Sequence, residues 1–197
     1  MGFTEEEIIR ARKEALRKKN SSIYDKYLYI GNERLEFTMQ EIIPPFVQMM
    51  FPKTFLDLPP EFAKKMYPSE LRPAVIKTNP ALTVNFAFTF FEAKLPMNEV
   101  ADCARYYLAS MKKMYPGNTY LNNGEHFMDK EETPILGWYS FSNPTLMEPI
   151  YNIHAYTSVE GRMLYCIFHT SKERFEVWKP HVFEAFNSIQ SGRGKRV

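Results

Sequence analysis

Large apolar side chains alternate with small or polar ones in the stretch 82–95, which is the clearest pattern in the chain. The first set is Val84, Phe86, Phe88 and Phe90, and the second is Thr83, Asn85, Ala87 and Thr89. A period of two places successive side chains on opposite sides of a strand, so the stretch predicts a long β-strand with one strongly apolar face. Asn79 and Pro80 separate it from the apolar run 74–77, which predicts a hairpin.

Three stretches rich in aromatic and β-branched residues follow one another at 137–142, 149–156 and 162–170. Residues of these types fit the pleated, half-buried surface of a sheet. The breaks between the stretches contain Asn143-Pro144 and Glu160-Gly161, which are typical turn residues. The pattern predicts an antiparallel meander at the centre of a sheet.

The other predicted strands are shorter or are interrupted by turn residues. They are 23–30, 34–39, 46–51 and 119–128. Gly31-Asn32 between the first two predicts a hairpin connection. Pro59-Pro60 predicts the start of a short helix at 61–66, because proline's missing N–H costs nothing in the first turn of a helix.

Two longer helices are predicted at 97–115 and 172–189, where apolar residues recur at helical spacing on one face. Pro116 ends the first helix, and Pro180 is predicted to begin or kink the second. A further helix is predicted in the first 20 residues, where Thr4 and Glu7 match a capping box.

This order of elements predicts an α+β fold, in which helices pack on the faces of a central antiparallel β-sheet. A chain of 197 residues suits one domain with a substantial core. We therefore predict a helical leader at 1–20, a single α+β domain at 21–191 and a basic tail at 192–197. The core is predicted to be one cluster that contains Phe86, Phe88, Phe90, Tyr107, Leu108, Trp178, Val182 and Phe186.

Composition and charge disfavour several classes of protein. The chain is 45% hydrophobic and 24% charged, as in ordinary globular proteins, and no apolar run approaches the ~18 residues of a membrane-spanning helix. Its formal net charge of +2 comes from the two ends, which disfavours nucleic acid as a partner of the folded body. The N-terminus lacks a signal-peptide pattern, so we predict a cytoplasmic protein without membrane insertion. Cys103 and Cys166 are then predicted to be reduced and unpaired.

The succession of elements resembles the PsbP-like superfamily, which includes the Ran nucleotide-release factors and bacterial proteins of the DcrB type. The resemblance rests on the apolar run 46–55, on residues 84–88 before the predicted long helix, and on the meander that leads to 175–189. It implies a central antiparallel sheet flanked by helices. Most members are photosystem subunits, GTPase-binding factors or effector chaperones, so it also implies a non-enzymatic protein, although no functional residue set carries over. The segment 67–73 is similar to a motif of bacterial proteins.

The sequence contains neither a Gly-x-Ser-x-Gly motif nor a Walker-type phosphate loop. His154, Cys166 and His169 are of the residue types that bind metals, and they lie on adjacent predicted strands. Cys166 and His169 are three residues apart, however, and point to opposite faces of a strand. We therefore predict no metal site, no cofactor and no catalytic residue. The sequence favours a protein without catalysis but leaves an enzyme open.

Two functions remain. The first is a protein-interaction module, an adaptor or chaperone, that binds another protein through the proline-rich segment 44–60. Its anchors would be Met49, Met50, Phe51 and Phe55, unless these side chains simply close the core. The second is a small-molecule-binding protein or enzyme with a pocket between sheet and helix, lined by Trp138, Tyr151 and His154. The partner, the ligand and the oligomeric state stay open.

Overall fold

A seven-stranded antiparallel β-sheet forms the centre of the fold in the computed structural model, which describes residues 4–19, 21–70, 72–127 and 134–192. The described helices are α1 (Glu5–Lys19), α2 (Pro60–Met66), α3 (Val100–Met114) and α4 (Lys172–Asn187), and a 3₁₀-helix (Met97–Glu99) precedes α3. The described strands are β1 (Leu28–Ile30), β2 (Glu33–Leu35), β3 (Phe37–Ile43), β4 (Val47–Pro52), β5 (Leu56–Asp57), β6 (Val75–Thr78), β7 (Val84–Lys94), β8 (Thr119–Phe127), β9 (Pro134–Asn143), β10 (Ile150–Val159), β11 (Arg162–Ser171) and β12 (Gln190–Ser191). The order in the main sheet is β5-β6-β7-β11-β10-β9-β8, so the predicted α+β fold and its meander are confirmed.

A two-residue turn sets the register between β10 and β11. Its residues, Glu160 and Gly161, both have positive φ angles, 53° and 75°. Such turns match the right-handed twist of the strands that they join, and glycine adopts positive φ without a steric penalty. The turn places Tyr156 opposite Tyr165 and His154 opposite Ile167.

The predicted strands 23–30 and 34–39 do form a hairpin, but their bounds differ. The first strand, β1, begins only at Leu28. The second predicted strand is divided between β2 and β3 because its two halves pair with different strands. Leu35 of β2 lies opposite Leu28, whereas Phe37 of β3 lies opposite Pro52 of β4. The strands β12, β4 and β3 form a separate three-stranded sheet.

The main sheet has a hydrophobic layer on each face, whereas the sequence predicted a single core cluster. On the first face the apolar side of β7 packs against α4 and β4, and this cluster includes Phe86, Phe88, Trp178, Val182 and Phe186, with Phe90 at its edge. On the second face Tyr107 and Leu108 of α3 pack in a separate cluster against β9, β10 and β11. The single-cluster prediction is wrong because helical periodicity identifies the buried side of a helix but not the face of the sheet that it covers.

Gly137 allows α3 to lie directly against β9. A Cβ atom at this position would lie 2.7 Å from the carbonyl oxygen of Val100 and 2.8 Å from the Cβ of Ala104. Real Cβ atoms essentially never come so close to other atoms, so any side chain here would force the helix away from the sheet. The close approach brings the buried side of α3 onto the second face.

The capping box predicted for α1 is confirmed. The backbone N–H of Thr4 donates to Glu7 Oε2 at 2.8 Å, and the N–H of Glu7 donates to Thr4 Oγ1 at 3.3 Å. All side chains of α1 that the structure describes are exposed. The predicted basic tail lies outside the described residues from position 193 onwards. No described helix is long and apolar enough to cross a membrane.

Candidate binding pocket

The segment 44–60 contributes most of its predicted anchors to the core. Met49 and Phe51 are fully buried and Phe55 is 5% exposed, while Met50 is half-buried. The ring of Phe51 packs edge-on against Phe55 and against Phe86 of β7. Met49, Phe51 and Phe55 thus close the first face of the sheet, as the alternative interpretation predicted for all four side chains, while Met50 packs only partly against the same cluster.

The three residues predicted to line a ligand pocket do not lie together. Trp138 packs against Phe183 of α4 with ring centroids 4.6 Å apart, and Tyr151 packs against Phe175 of α4 at 5.4 Å, so both lie on the first face. His154 lies on the second face, because it is three residues from Tyr151 and strand side chains alternate. The predicted grouping of Trp138, Tyr151 and His154 is therefore not a single pocket.

His154 is instead the centre of a cluster of tyrosines on the second face. Its Nδ1 lies 2.7 Å from the hydroxyl of Tyr165 and 3.2 Å from that of Tyr139. The hydroxyl of Tyr139 also lies 3.3 Å from that of Tyr156. Strands β9, β10 and β11 each contribute to this cluster, so the hydrogen bonds tie the three strands of the meander together.

Three tyrosine rings form a stacked column above the sheet. Tyr107 of α3 lies over Tyr156 of β10, with centroids 4.8 Å apart and ring planes 7° from parallel. Tyr156 in turn stacks on Tyr165 of β11 at 4.9 Å and 12°. The column connects the helix to the two strands joined by the Glu160-Gly161 turn.

A cavity of about 150 Å³ opens beside this column, between α3 and the sheet. We call it the α3 pocket. Its walls are Phe91, Tyr107, Met111, Met114, Tyr139, Tyr156, Met163 and Tyr165. Phe91 and Met114 are exposed at the rim, at 39% and 62%, whereas Tyr139 and Met163 are buried at the floor. The pocket is therefore reachable from solvent and is walled by aromatic rings and methionines.

The titratable groups of the pocket stay uncharged near neutral pH. Burial raises the pKa of Tyr139 to about 12 and raises the pKa values of Tyr156 and Tyr165 further above the ordinary range. Burial, together with the nearby charge of His169, lowers the pKa of His154 to about 3. The cluster therefore consists of neutral phenols and a neutral imidazole, which are joined by hydrogen bonds without a charged partner.

The two cysteines and the second buried histidine lie on defined faces. Cys166 is fully buried on the first face, and Cys103 of α3 lies on the second with its Sγ 3.7 Å from Met163 Sδ. His169 is on the second face, where its Nε2 hydrogen-bonds with the hydroxyl of Tyr67. Cys166 and His169 thus point to opposite faces, and no group of three or more potential metal ligands occurs among the described residues.

The tyrosine cluster went unrecognised in the sequence, although one signal for part of it was present. Residues at equal distances from a two-residue turn lie opposite each other, and Tyr156 and Tyr165 are equidistant from Glu160-Gly161. The period of two then places His154 and Tyr156 on one face. No comparable signal identifies Tyr107 or Tyr139, because they come from elements whose position relative to β10 is set by tertiary packing.

No protein-family model matches the chain, and no curated protein matches it in sequence. Among solved structures, cyanobacterial PsbP (CyanoP) from Synechocystis sp. PCC 6803 is similar with a TM-score of 0.51 and 9% identity, over 79% of this chain and 92% of that chain. LpqN, involved in cell envelope biogenesis of Mycobacterium tuberculosis, has a TM-score of 0.46 and 11% identity, over 87% and 98%. The type VI immunity protein TplEi of Pseudomonas aeruginosa has a TM-score of 0.38 and 12% identity, over 96% and 86%. The likeness to PsbP shows that the chain has the PsbP-like α+β fold.

Proposed function

We propose that the protein is a non-catalytic binding protein that holds a small apolar ligand in the α3 pocket. The observation that carries this proposal is a solvent-reachable cavity of about 150 Å³ whose walls are all aromatic or methionine side chains. Apolar cavities of this size hold a single benzene-sized molecule. Ligand sites are typically apolar recesses with a few polar groups, and here those groups are the tyrosine hydroxyls.

The charge state of the cluster supports binding over catalysis. A general base works best with a pKa near the operating pH, but that of His154 is lowered to about 3. The raised pKa values of Tyr139 and Tyr165 likewise keep these phenols from acting as nucleophiles near neutral pH. Hydrogen bonds instead fix the positions of the rings that form the walls.

The methionines supply the adaptable part of the pocket. Met111 and Met114 of α3 and Met163 of β11 all line the cavity. An unbranched thioether chain fills irregular space and adjusts to the shape of a ligand. The rigid tyrosine column and the flexible methionines together suit a site that accepts related small molecules.

Methionine methyl groups provide a direct test of ligand binding. We expect benzyl alcohol to shift the ¹³C-methyl NMR signals of Met111, Met114 and Met163 saturably, because an aromatic ring in the cavity lies close to all three. The signal of Met147, which is 94% exposed, is the internal control and should stay unchanged. Equal shifts at Met147, or none in the pocket, would contradict the proposal. Met111→Trp should fill the cavity and abolish the shifts, whereas Met66→Trp on α2 should preserve them.

A second function is favoured by the loop between β9 and β10. Leu146 and Met147 are almost completely exposed, at 106% and 94%. Hydrogen bonds hold them there, since Thr145 Oγ1 donates to the carbonyl of Glu148 at 2.7 Å and accepts from the N–H of Met147 at 3.2 Å. A fixed loop that presents large apolar side chains is typical of a protein-interaction site. This site would serve the adaptor or chaperone function.

Replacing the two exposed side chains tests this second function. We expect Leu146→Ser combined with Met147→Ser to abolish capture of a protein partner from the native cell, while the melting temperature stays within about 2 °C because no core contact is lost. The matched control replaces Ile8 and Ile9 of α1, which are each 49% exposed, by serine. Retained capture by the loop variant, or equal loss in the control, would argue against the loop as the contact.

We also propose a cytoplasmic location. Cys103 and Cys166 are free in the structure and lie on opposite faces of the main sheet, so a disulfide between them cannot form in the folded chain. Burial raises the pKa of the Cys103 thiol to about 11 and makes it unreactive. Two such thiols suit a reducing compartment.

A further inference from the structure

Tyr156, the middle ring of the stacked column, presents its edge and not its faces to the α3 pocket. Both faces of Tyr156 are covered, by Tyr107 on one side and Tyr165 on the other. Tyr139 lies beside Phe141 at 6.1 Å and beside Tyr156 at 6.2 Å, with its ring plane tilted by 28° and 29° from theirs. A ligand beside the column therefore meets the edge of Tyr156 and not its faces.

Ring edges select for a particular kind of ligand. The edge of an aromatic ring carries partial positive charge and its face partial negative charge, so an edge attracts the face of another ring. Cation-binding aromatic cages need the opposite arrangement, in which ring faces surround the cation. Because the faces of Tyr156 are covered, the pocket favours an aromatic ring over a saturated one and offers little to a cation.

The α3 pocket offers no complementary charge to an ion. No charged side chain lines the pocket among the described residues, and the imidazole of His154 beneath it is neutral. An ion that entered would lose its water of hydration without gaining a counter-charge. The described walls can thus compensate neither the negative charge of a carboxylate nor the positive charge of an ammonium group.

We infer that the ligand of the α3 pocket is a neutral molecule with a single aromatic ring. This inference rests on the proposed binding function and narrows its ligand class. A volume of about 150 Å³ limits the ligand to one ring with a short substituent. The hydroxyls of Tyr139, Tyr156 and Tyr165 lie close enough together to hydrogen-bond with a small polar substituent on that ring.

Four ligands with the same carbon skeleton test this inference on the full chain at pH 7. They are benzyl alcohol, cyclohexylmethanol, benzoate and benzylammonium, and the dissociation constant of each is measured from the methyl shifts of Met111 and Met163. We expect benzyl alcohol to bind at least about tenfold more tightly than either ion, because the ions lose hydration without compensation. We expect it to bind about fivefold more tightly than cyclohexylmethanol, because only the aromatic ring gains edge-to-face contacts.

The outcomes separate the two proposals. If cyclohexylmethanol or either ion binds as tightly as benzyl alcohol, the inferred ligand class is wrong while the binding function stands. If none of the four ligands shifts the pocket methyl groups, the binding function fails and the ligand class with it.

A pair of variants attributes the aromatic preference to the tyrosine column. Tyr107→Leu removes one ring from the wall and should lower the affinity ratio of benzyl alcohol to cyclohexylmethanol. Phe62→Leu on α2 also removes a ring, but outside the pocket, and should keep the ratio of the unaltered protein. Both affinities are measured on the same variant, so a change in stability does not alter their ratio. An unchanged ratio in Tyr107→Leu would overturn the assignment.

Discussion

Lowering the pH from 7 to 4 is expected to reduce the free energy of unfolding by roughly 6 kcal/mol through His154 and His169. Burial lowers the pKa of His154 to about 3 and that of His169 to about 4, against an ordinary value of 6.5. At pH values between the folded-state pKa values and 6.5, the unfolded chain binds more protons than the folded chain. The stabilisation is therefore complete above about pH 6.5 and is lost as the pH falls toward the folded-state pKa values.

The surroundings of the two histidines explain why their protonation is costly. Described contacts of His154 are the hydroxyls of Tyr139 and Tyr165 and the ring of Phe141, and His169 contacts Tyr67. None of these groups carries a negative charge that could compensate an imidazolium. Because a domain is typically stable by about 5–15 kcal/mol, this loss alone approaches the point of acid unfolding.

Urea unfolding at pH 7, 6, 5 and 4 measures this effect. Each histidine should contribute a slope of about 1.4 kcal/mol per pH unit below pH 6 until its folded-state pKa is reached. His154→Asn and His169→Asn should each remove one such contribution, whatever their stability at pH 7. Variants with the same slope as the unaltered protein would show that the pH dependence arises elsewhere.

Much of the fold follows from local patterns in the sequence. The alternation around Phe86 and Phe88 identifies β7 and the face that packs against α4, because that face is far more apolar than the other. The turn at Glu160-Gly161 fixes the pairing of β10 with β11, because two residues with positive φ leave one register. These features depend on residues that are close in sequence, so the sequence alone predicts them.

The candidate site depends on contacts between distant residues and could not be predicted in the same way. Tyr107 meets Tyr156 only because α3 crosses the second face, and Gly137 permits that crossing. The predicted pocket joined Trp138 and Tyr151 to His154 across the sheet, although the alternation along β10 already separates Tyr151 from His154. The segment 44–60 was ambiguous because its apolar residues suit either a core strand or an exposed contact, and only burial distinguishes the two.

Phe86 lies at the centre of the core on the first face. Its ring is 1% exposed and contacts aromatic rings from three separate parts of the fold. These rings are Phe51 and Phe55 near β4, Phe168 of β11, and Trp178 and Phe186 of α4. Their centroids lie 5.0 to 6.1 Å from that of Phe86, in mostly edge-to-face arrangements. Phe86 therefore joins the main sheet to α4 and to the β4 region, the two parts of the fold that cover its first face.

Phe86→Ala is expected to lower the free energy of unfolding by about 3–5 kcal/mol, because it removes a buried ring and leaves a cavity that three elements would have to collapse to fill. Denaturant unfolding at pH 7, where both buried histidines are neutral, measures the change without a contribution from acid. The matched control is Phe62→Ala on α2, whose side chain is 39% exposed and should cost no more than about 0.5 kcal/mol. A loss at Phe86 as small as that at Phe62 would mean that the first-face core is not packed as described. Phe86→Ala changes no residue of the second face. Molecules of this variant that stay folded should therefore still bind benzyl alcohol in the α3 pocket.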